Sequence, residues 1–193
     1  MTPLHVEPRV FRPGAGPSLA PFLSVRHLPH RLDPADYCGY RAYSLTICAH
    51  SRTRPFTDAA IVRDVLLQFL RTAVDFRCEI LAYCVLPDHV HLIVIVHAKE
   101  TDLREFVRLA KQRSGYAYAQ ASGSRLWQQS YFDRTVRTME ELPSLVEYII
   151  GNPVRAGLAG SPADYPYWGS ERYTRDELLE FVVATHRSRS PRV

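Results

Sequence analysis

Short runs of strand-forming residues punctuate this chain, and between them apolar side chains recur at helical spacing. Tyr43-Ser44-Leu45-Thr46-Ile47-Cys48 is rich in strand formers and predicts a first strand. A basic turn over 50–55 follows, and Asp58 starts a helix whose Ile61, Val65, Leu66, Phe69 and Leu70 fall on one stripe. A second strand over 78–85, a Pro87-Asp88 turn and a third strand over 89–97 predict a hairpin. Thr101 is the predicted N-cap of a long helix that reaches about Ala121, with Leu103, Phe106, Val107 and Ala110 as its apolar side. Ser122-Gly123-Ser124 ends it, a short strand over 134–138 follows, and the next helix carries Leu145, Val146, Tyr148 and Ile149. A last helix over 174–185 opens with the capping-box spacing Thr174 to Glu177. The order strand, helix, hairpin, helix, strand, helix predicts an α+β fold, with helices packed on one face of a mostly antiparallel sheet.

Composition divides the chain into three. Half of the 14 prolines precede residue 37, so 1–36 reads as a Pro-rich, loosely ordered N-terminal arm. The patterned core occupies 37–160, and 161–193 is a C-terminal extension with one helix and a basic tail of Arg187, Arg189 and Arg192. A hydrophobic fraction of 46% and a charged fraction of 23% are ordinary for a soluble globular protein. Cys38, Cys48, Cys78 and Cys84 form no CxxC pair and no disulfide framework, no secretory signal is recognisable, and the longest apolar run, 92–96, is too short to span a bilayer. A cytoplasmic protein with reduced thiols and no membrane association is expected. The net charge of +4, nearly all from arginine, permits nucleic-acid binding without establishing it.

Candidate chemistry concentrates in two places. In a strand, residues i and i+2 share a face, so His89 and His91 project together while Val90 and Leu92 project oppositely. Two adjacent imidazoles are half of a metal site, yet they are equally compatible with partly exposed polar residues. Cys84, with the spacing Cys84-x4-His89-x-His91, or His97 would extend the pair toward a structural zinc shell. The second place is 147–158. Tyr148 and Asn152 are four apart and would share a helix face, although Pro153 disfavours the α conformation at Asn152 and Gly151 weakens the helix. By spacing alone Tyr148 is either a packed aromatic or a nucleophile, and Tyr116, with Gln120 four residues on, is a rival, as is Tyr118. Arg52, Arg54, Arg104, Arg108, Lys111, Arg113, Arg134, Arg137 and Arg155 are candidates for phosphate contacts. Trp127, Tyr131 and Phe132 could stack on unpaired bases or belong to the core.

Three motifs in order carry a resemblance. Pro87-Asp88-His89-Val90-His91-Leu92-Ile93-Val94, then Leu126-Trp127-Gln128-Gln129-Ser130-Tyr131-Phe132-Asp133-Arg134, then Tyr148-Ile149-Ile150-Gly151-Asn152-Pro153-Val154-Arg155-Ala156-Gly157-Leu158 resemble the IS200/IS605-type single-tyrosine transposases. The likeness is to their REP-associated tyrosine transposase branch and runs from about Tyr40 to Leu158. It implies a ferredoxin-like sandwich and a histidine-hydrophobic-histidine (HUH) site in which His89, His91 and Asn152 hold Mg²⁺ or Mn²⁺. It implies Tyr148 as the nucleophile that cleaves and rejoins single-stranded, hairpin-bearing DNA through a 5′-phosphotyrosine. The broader family implies a homodimer and the branch a monomer. A non-catalytic DNA-binding protein of the same fold is the other class of function.

Overall fold

The computed structural model describes residues 37–189. The Pro-rich arm over 1–36 and the side chains of the basic tail fall outside the described residues. The chain forms β1 (Ala42–Cys48), α1 (Ala59–Asp75), β2 (Cys78–Leu86), β3 (His89–Val96), α2 (Leu103–Ser122) and β4 (Phe132–Val136). Then come α3 (Glu141–Ile150), α4 (Asn152–Arg155), β5 (Trp168–Gly169) and α5 (Arg175–Arg189). One sheet of order β4-β1-β3-β2-β5 contains every strand, and each pairing is antiparallel. Both helical crossovers, β1 to β2 and β3 to β4, skip a strand, the split βαβ arrangement of a ferredoxin-like sandwich. The expected α+β class and antiparallel sheet hold.

Local chemistry sets the element boundaries. Asp58 caps α1 by accepting from the Ala60 N–H at 2.8 Å. The cap of α2 is Asp102, which accepts from the Arg104 N–H, and not Thr101 as expected. Thr101 is buried, and its hydroxyl donates to the Phe76 carbonyl at 2.7 Å, so it is unavailable to the helix. Gly123 ends α2 in the left-handed region at φ 69, where a glycine has no Cβ to strain. The predicted box at α5 is formed in both directions: Glu177 accepts from the Thr174 N–H at 2.8 Å, and Thr174 Oγ1 accepts from the Glu177 N–H at 3.2 Å.

Alternation along the strands sorts side chains between two cores. Leu45, Ile47, Val90, Leu92 and Val94 face α1 and α2, packing on Val62, Val65 and Phe69 and on Phe106, Val107 and Ala110. Phe69 meets Phe106 edge-on at 6.4 Å and Trp127 at 5.9 Å. The opposite face is covered too, by α3, α5 and the segment between them. There Ala82, Cys84, Leu86, Ile93 and Ile95 pack on Leu142, Val146, Ile149, Tyr165, Trp168 and Leu178. A bulge between Ile80 and Ala82 reverses the alternation of β2, so Leu81 and Ala82 both face this second core. That reversal brings Cys84 onto the face of His91, its cross-strand partner. The extension beyond 160 completes the sheet, since β5 pairs with β2 at Tyr83 and Cys84. No helix among the described residues is long and apolar enough to cross a membrane.

Candidate functional site

His89 and His91 stand side by side on the α3 face of β3, as the alternation predicts. Asp88 Oδ1 accepts from His89 Nδ1 at 2.6 Å, and Asp88 Oδ2 accepts from Arg52 Nη1 at 3.0 Å. Burial pulls the Asp88 carboxyl upward, but the His89 hydrogen bond and the Arg52 charge outweigh it and hold the group below its ordinary range. Arg52 reaches back from a turn in which Ser51 and Arg52 both occupy the left-handed region, at φ 52 and 55. His91 Nδ1 is fixed by the Thr46 hydroxyl at 2.9 Å, because Thr46 is its cross-strand neighbour on β1. Burial, then the neighbouring charges of His89 and Arg155, lower His91 to about 4, so it is neutral near pH 7.

The Nε2 atoms of the two rings converge to 3.1 Å. Two donors each about 2.1 Å from a common ion and at right angles to each other lie about 3.0 Å apart, so the pair has the spacing of two edges of a metal shell. Each outer ring nitrogen is tied to a carboxylate or a hydroxyl, the support that metal-ligating imidazoles require. The donor set therefore fits a divalent ion.

Tyr148 approaches from above. Leu142, Val146, Ile149 and Ile150 turn α3 inward onto the sheet, which leaves Tyr148 on its flank, 50% exposed. Its ring centroid is 6.2 Å from that of His91, at 77°. The helix stops at Ile150, and a new one begins at Asn152, with Gly151 as the joint. Pro153 falls in the first turn of α4, where a missing N–H leaves no bond unmade. Tyr148 and Asn152 thus belong to different helices, and Asn152 is only 8% exposed, its Nδ2 buried without a hydrogen-bond partner. An amide carbonyl oxygen is a donor type suited to a hard cation. Arg155 closes the cluster: its guanidinium carbon lies 4.2 Å from the Tyr148 ring centroid, and its Nη2 donates to the Tyr148 carbonyl.

Residues 40–152 match the family model described as IS200-like transposase. The chain belongs to that family. A Haemophilus influenzae protein is 25% identical over 150 residues, covering 70% of this chain and 83% of that protein, and an Escherichia coli K12 protein is 29% identical over 112 residues, covering 58% and 64%. Both carry the name REP-associated tyrosine transposase, provisionally for the first. The fold is shared with a solved REP-associated tyrosine transposase bound to a REP hairpin, with a TM-score of 0.61, 22% identity, and coverage of 74% of this chain and 82% of the other.

The remaining predicted residues divide by location in this IS200-like transposase. Arg52 and Arg155 reach the histidine–tyrosine cluster, the first through Asp88. Arg54 is exposed. Along α2 the arginines have their own carboxylates: Arg104 pairs with Asp102 at 2.6 Å and Arg108 with Glu105 at 2.8 Å. Arg113 pairs with Asp75 at 2.6 Å, and Arg134 on β4 with Glu141 at 2.7 Å. Lys111 donates to the Gln129 carbonyl at 2.9 Å. Trp127 is a correction. It is 4% exposed, its rings lie against Phe56 and Phe69, and its N–H donates to Ser114 Oγ at 2.9 Å, so no face is open to a base. Phe132 is exposed on the edge strand. Tyr116 and Tyr118 lie on α2, across the sheet from the histidines, which removes both as rivals to Tyr148.

The zinc alternative finds no third ligand. Cys84 is a buried thiol packed in the second core, and His97 sits beyond the far end of β3, paired with Glu79 at 3.1 Å. Among the described residues no group of three His, Cys, Asp or Glu side chains could hold a metal. Sequence reasoning passed over Thr46, which only strand register reveals. It also left Asp88 without a role, although its place beside His89 in the turn was a usable signal.

Proposed function

We propose that this protein cleaves and rejoins hairpin-bearing single-stranded DNA with Tyr148 as the nucleophile. The observation that carries the reading is a half-exposed phenol set against two imidazoles whose Nε2 atoms converge. The phenol oxygen attacks the scissile phosphorus, the bond to the 3′ oxygen breaks, and the departing strand takes a proton as a free 3′-OH. The other strand stays on Tyr148 as a 5′-phosphotyrosine. Attack by a 3′-OH on that linkage restores the phosphodiester and frees the phenol, so rejoining needs no nucleotide cofactor. His89, His91 and the buried Asn152 amide are the residues that would hold a divalent ion. Mg²⁺ or Mn²⁺ bound there supplies Lewis-acid polarisation of the phosphate and neutralises developing charge.

Asp88 and Thr46 hold the outer nitrogens of the two rings, and His91, neutral through burial, keeps a lone pair for coordination. The pairs of Arg52 and of the α2 arginines lie at the surface, where solvent screens them, so phosphates can displace their carboxylates. A hairpin substrate is favoured by the fold-mate bound to a REP hairpin.

The test uses a labelled hairpin oligonucleotide with a single-stranded foot, incubated with the protein and Mn²⁺ and resolved under denaturing conditions. A covalent protein–DNA adduct is expected, and Tyr148→Phe abolishes it. An adduct that persists in the variant refutes the assignment of Tyr148. Binding without any cleavage by the unaltered protein makes it a DNA-binding protein of the same fold.

A further inference from the structure

We infer that Arg155 is a positioning residue for Tyr148, seated by the missing side chain at Gly151; the inference rests on Tyr148 being the nucleophile. A phenol on the flank of a helix, half exposed, has freedom to swing about two torsions. In-line attack needs its oxygen held within about 3–3.5 Å of phosphorus, and misplacement by about 1 Å can cost about a hundredfold in rate. The structure supplies a cover for the ring. The Arg155 guanidinium lies over the ring at 4.2 Å, the distance at which a planar cation stacks on an aromatic face. The same group donates to the backbone carbonyl of Tyr148, so it is anchored to the residue whose ring it covers. Ring and cation cannot slide independently.

Gly151 explains how Arg155 gets there. Its φ of −78 and ψ of −7 are ordinary helical values that any residue adopts, so the glycine is not needed for backbone conformation. At the joint between α3 and α4 the backbone itself does not call for glycine, so its presence asks for another reason. A Cβ at 151 would lie 2.8 Å from Arg155 Nη1 and 3.1 Å from the Glu147 carbonyl. The volume a side chain would take is the volume through which the guanidinium folds back. The ring that Arg155 covers has its centroid 6.2 Å from that of His91, which places the cation beside the reacting centre as well as over the ring. With Nη2 donating to the Tyr148 carbonyl and the guanidinium over the ring, Arg155 is committed to the protein. A strand phosphate would have to displace those contacts to claim it.

Single-turnover cleavage and hairpin affinity separate the two roles. Arg155→Ala is expected to slow cleavage at saturating DNA about tenfold to a hundredfold while the hairpin Kd moves less than about threefold. Arg155→Lys keeps the charge but lacks the plane, and recovers little of the rate. Gly151→Ala slows cleavage in the same direction. The double variant is no slower than Arg155→Ala alone, because both remove one contact. Fluorine NMR of protein carrying 3-fluorotyrosine at position 148 gives a readout that does not need activity. Arg155→Ala and Gly151→Ala should both move the resonance, and narrow it as the ring gains freedom. Unchanged cleavage in Arg155→Ala, a loss confined to Kd, or an unmoved fluorine resonance overturns the inference. If the unaltered protein forms no adduct, or Tyr148→Phe still forms one, the nucleophile reading falls separately, and the fluorine resonance still decides whether Arg155 fixes the ring.

Discussion

Val90, Leu92 and Val94 leave β3 toward α1 and α2, while His89, His91 and Ile93 leave the same strand toward α3. The two faces differ in how they treat the polar atoms near the middle of the sheet. On the α1–α2 side the hydroxyls of Ser114 and Thr72 close locally, and the unpartnered buried atoms, Asp133 Oδ2 and Thr135 Oγ1, lie out on the edge strand β4. Ser114 donates to the Ala110 carbonyl and accepts from Trp127, and Thr72 donates to the Gln68 carbonyl and accepts from Arg113. On the α3 side the Asn152 amide nitrogen has no partner, two imidazole nitrogens face each other, and Tyr148 is left half exposed. One face is assembled for cohesion. The other holds groups in arrangements that packing alone would not select, which is how a reactive site is kept ready.

The widest gap between the faces should appear in stability. Phe69 is buried and ringed by Phe106 and Trp127, so Phe69→Ala is expected to cost about 3–5 kcal/mol in urea unfolding. Tyr148→Phe, which is expected to end adduct formation, removes only a hydroxyl from a half-exposed ring and should leave the unfolding midpoint nearly where it was. Equal losses from the two variants would break the distinction between a cohesive face and a reactive one.

Much of this division is visible in the sequence, and the missing parts have physical reasons. Two-residue periodicity places His89 and His91 opposite Val90 and Leu92 without reference to any neighbour. It cannot say which residue on β1 meets His91, because register is decided by pairing, and so Thr46 emerges only in the folded sheet. The side on which Cys84 lies depends on the bulge at Leu81, which no alternation rule anticipates. Pro153 signals a helix end near Asn152, and α3 does stop at Ile150, but Asn152, expected to leave the α conformation, opens a second helix with that proline in its first turn. The cover that α3 and α5 give the second face was unpredicted, and β5, with two residues, is too short for any periodicity. Trp127 misleads because an aromatic at a sheet edge has the same local signature whether it meets DNA or Phe56.

A smaller effect separates the faces by pH. His91 is lowered to about 4 when folded, chiefly by burial, against an ordinary value of 6.5. As pH falls the unfolded chain takes up this proton first, so the stability linked to neutral His91 is complete above about 6.5 and is lost progressively toward 4. Between pH 7 and pH 5 the loss is about 2 kcal/mol for the metal-free protein. Among the described residues the α1–α2 core has no buried histidine. Urea titrations with a chelator present should show this slope in the unaltered protein and its flattening in His91→Asn. An equal slope in the variant would move the titration to another group.

The smallest stability change, paired with a full functional one, is expected at Asn152. Its buried amide nitrogen forgoes a hydrogen bond, and an unmade bond of that kind costs about 1–3 kcal/mol. Asn152→Leu keeps the branched shape and removes the unpaired polar atom, so the thermal midpoint should hold steady or rise by a few degrees. Mn²⁺-dependent adduct formation should nonetheless fall at least tenfold, because the proposed metal donor has gone. A destabilisation above about 2 kcal/mol would mean that the amide serves the packing of α4 on the sheet. Asn152 would then pass from the reactive set to the cohesive one, and the boundary between the two would have to be drawn through the α3 face itself, between the histidines and the joint at Gly151.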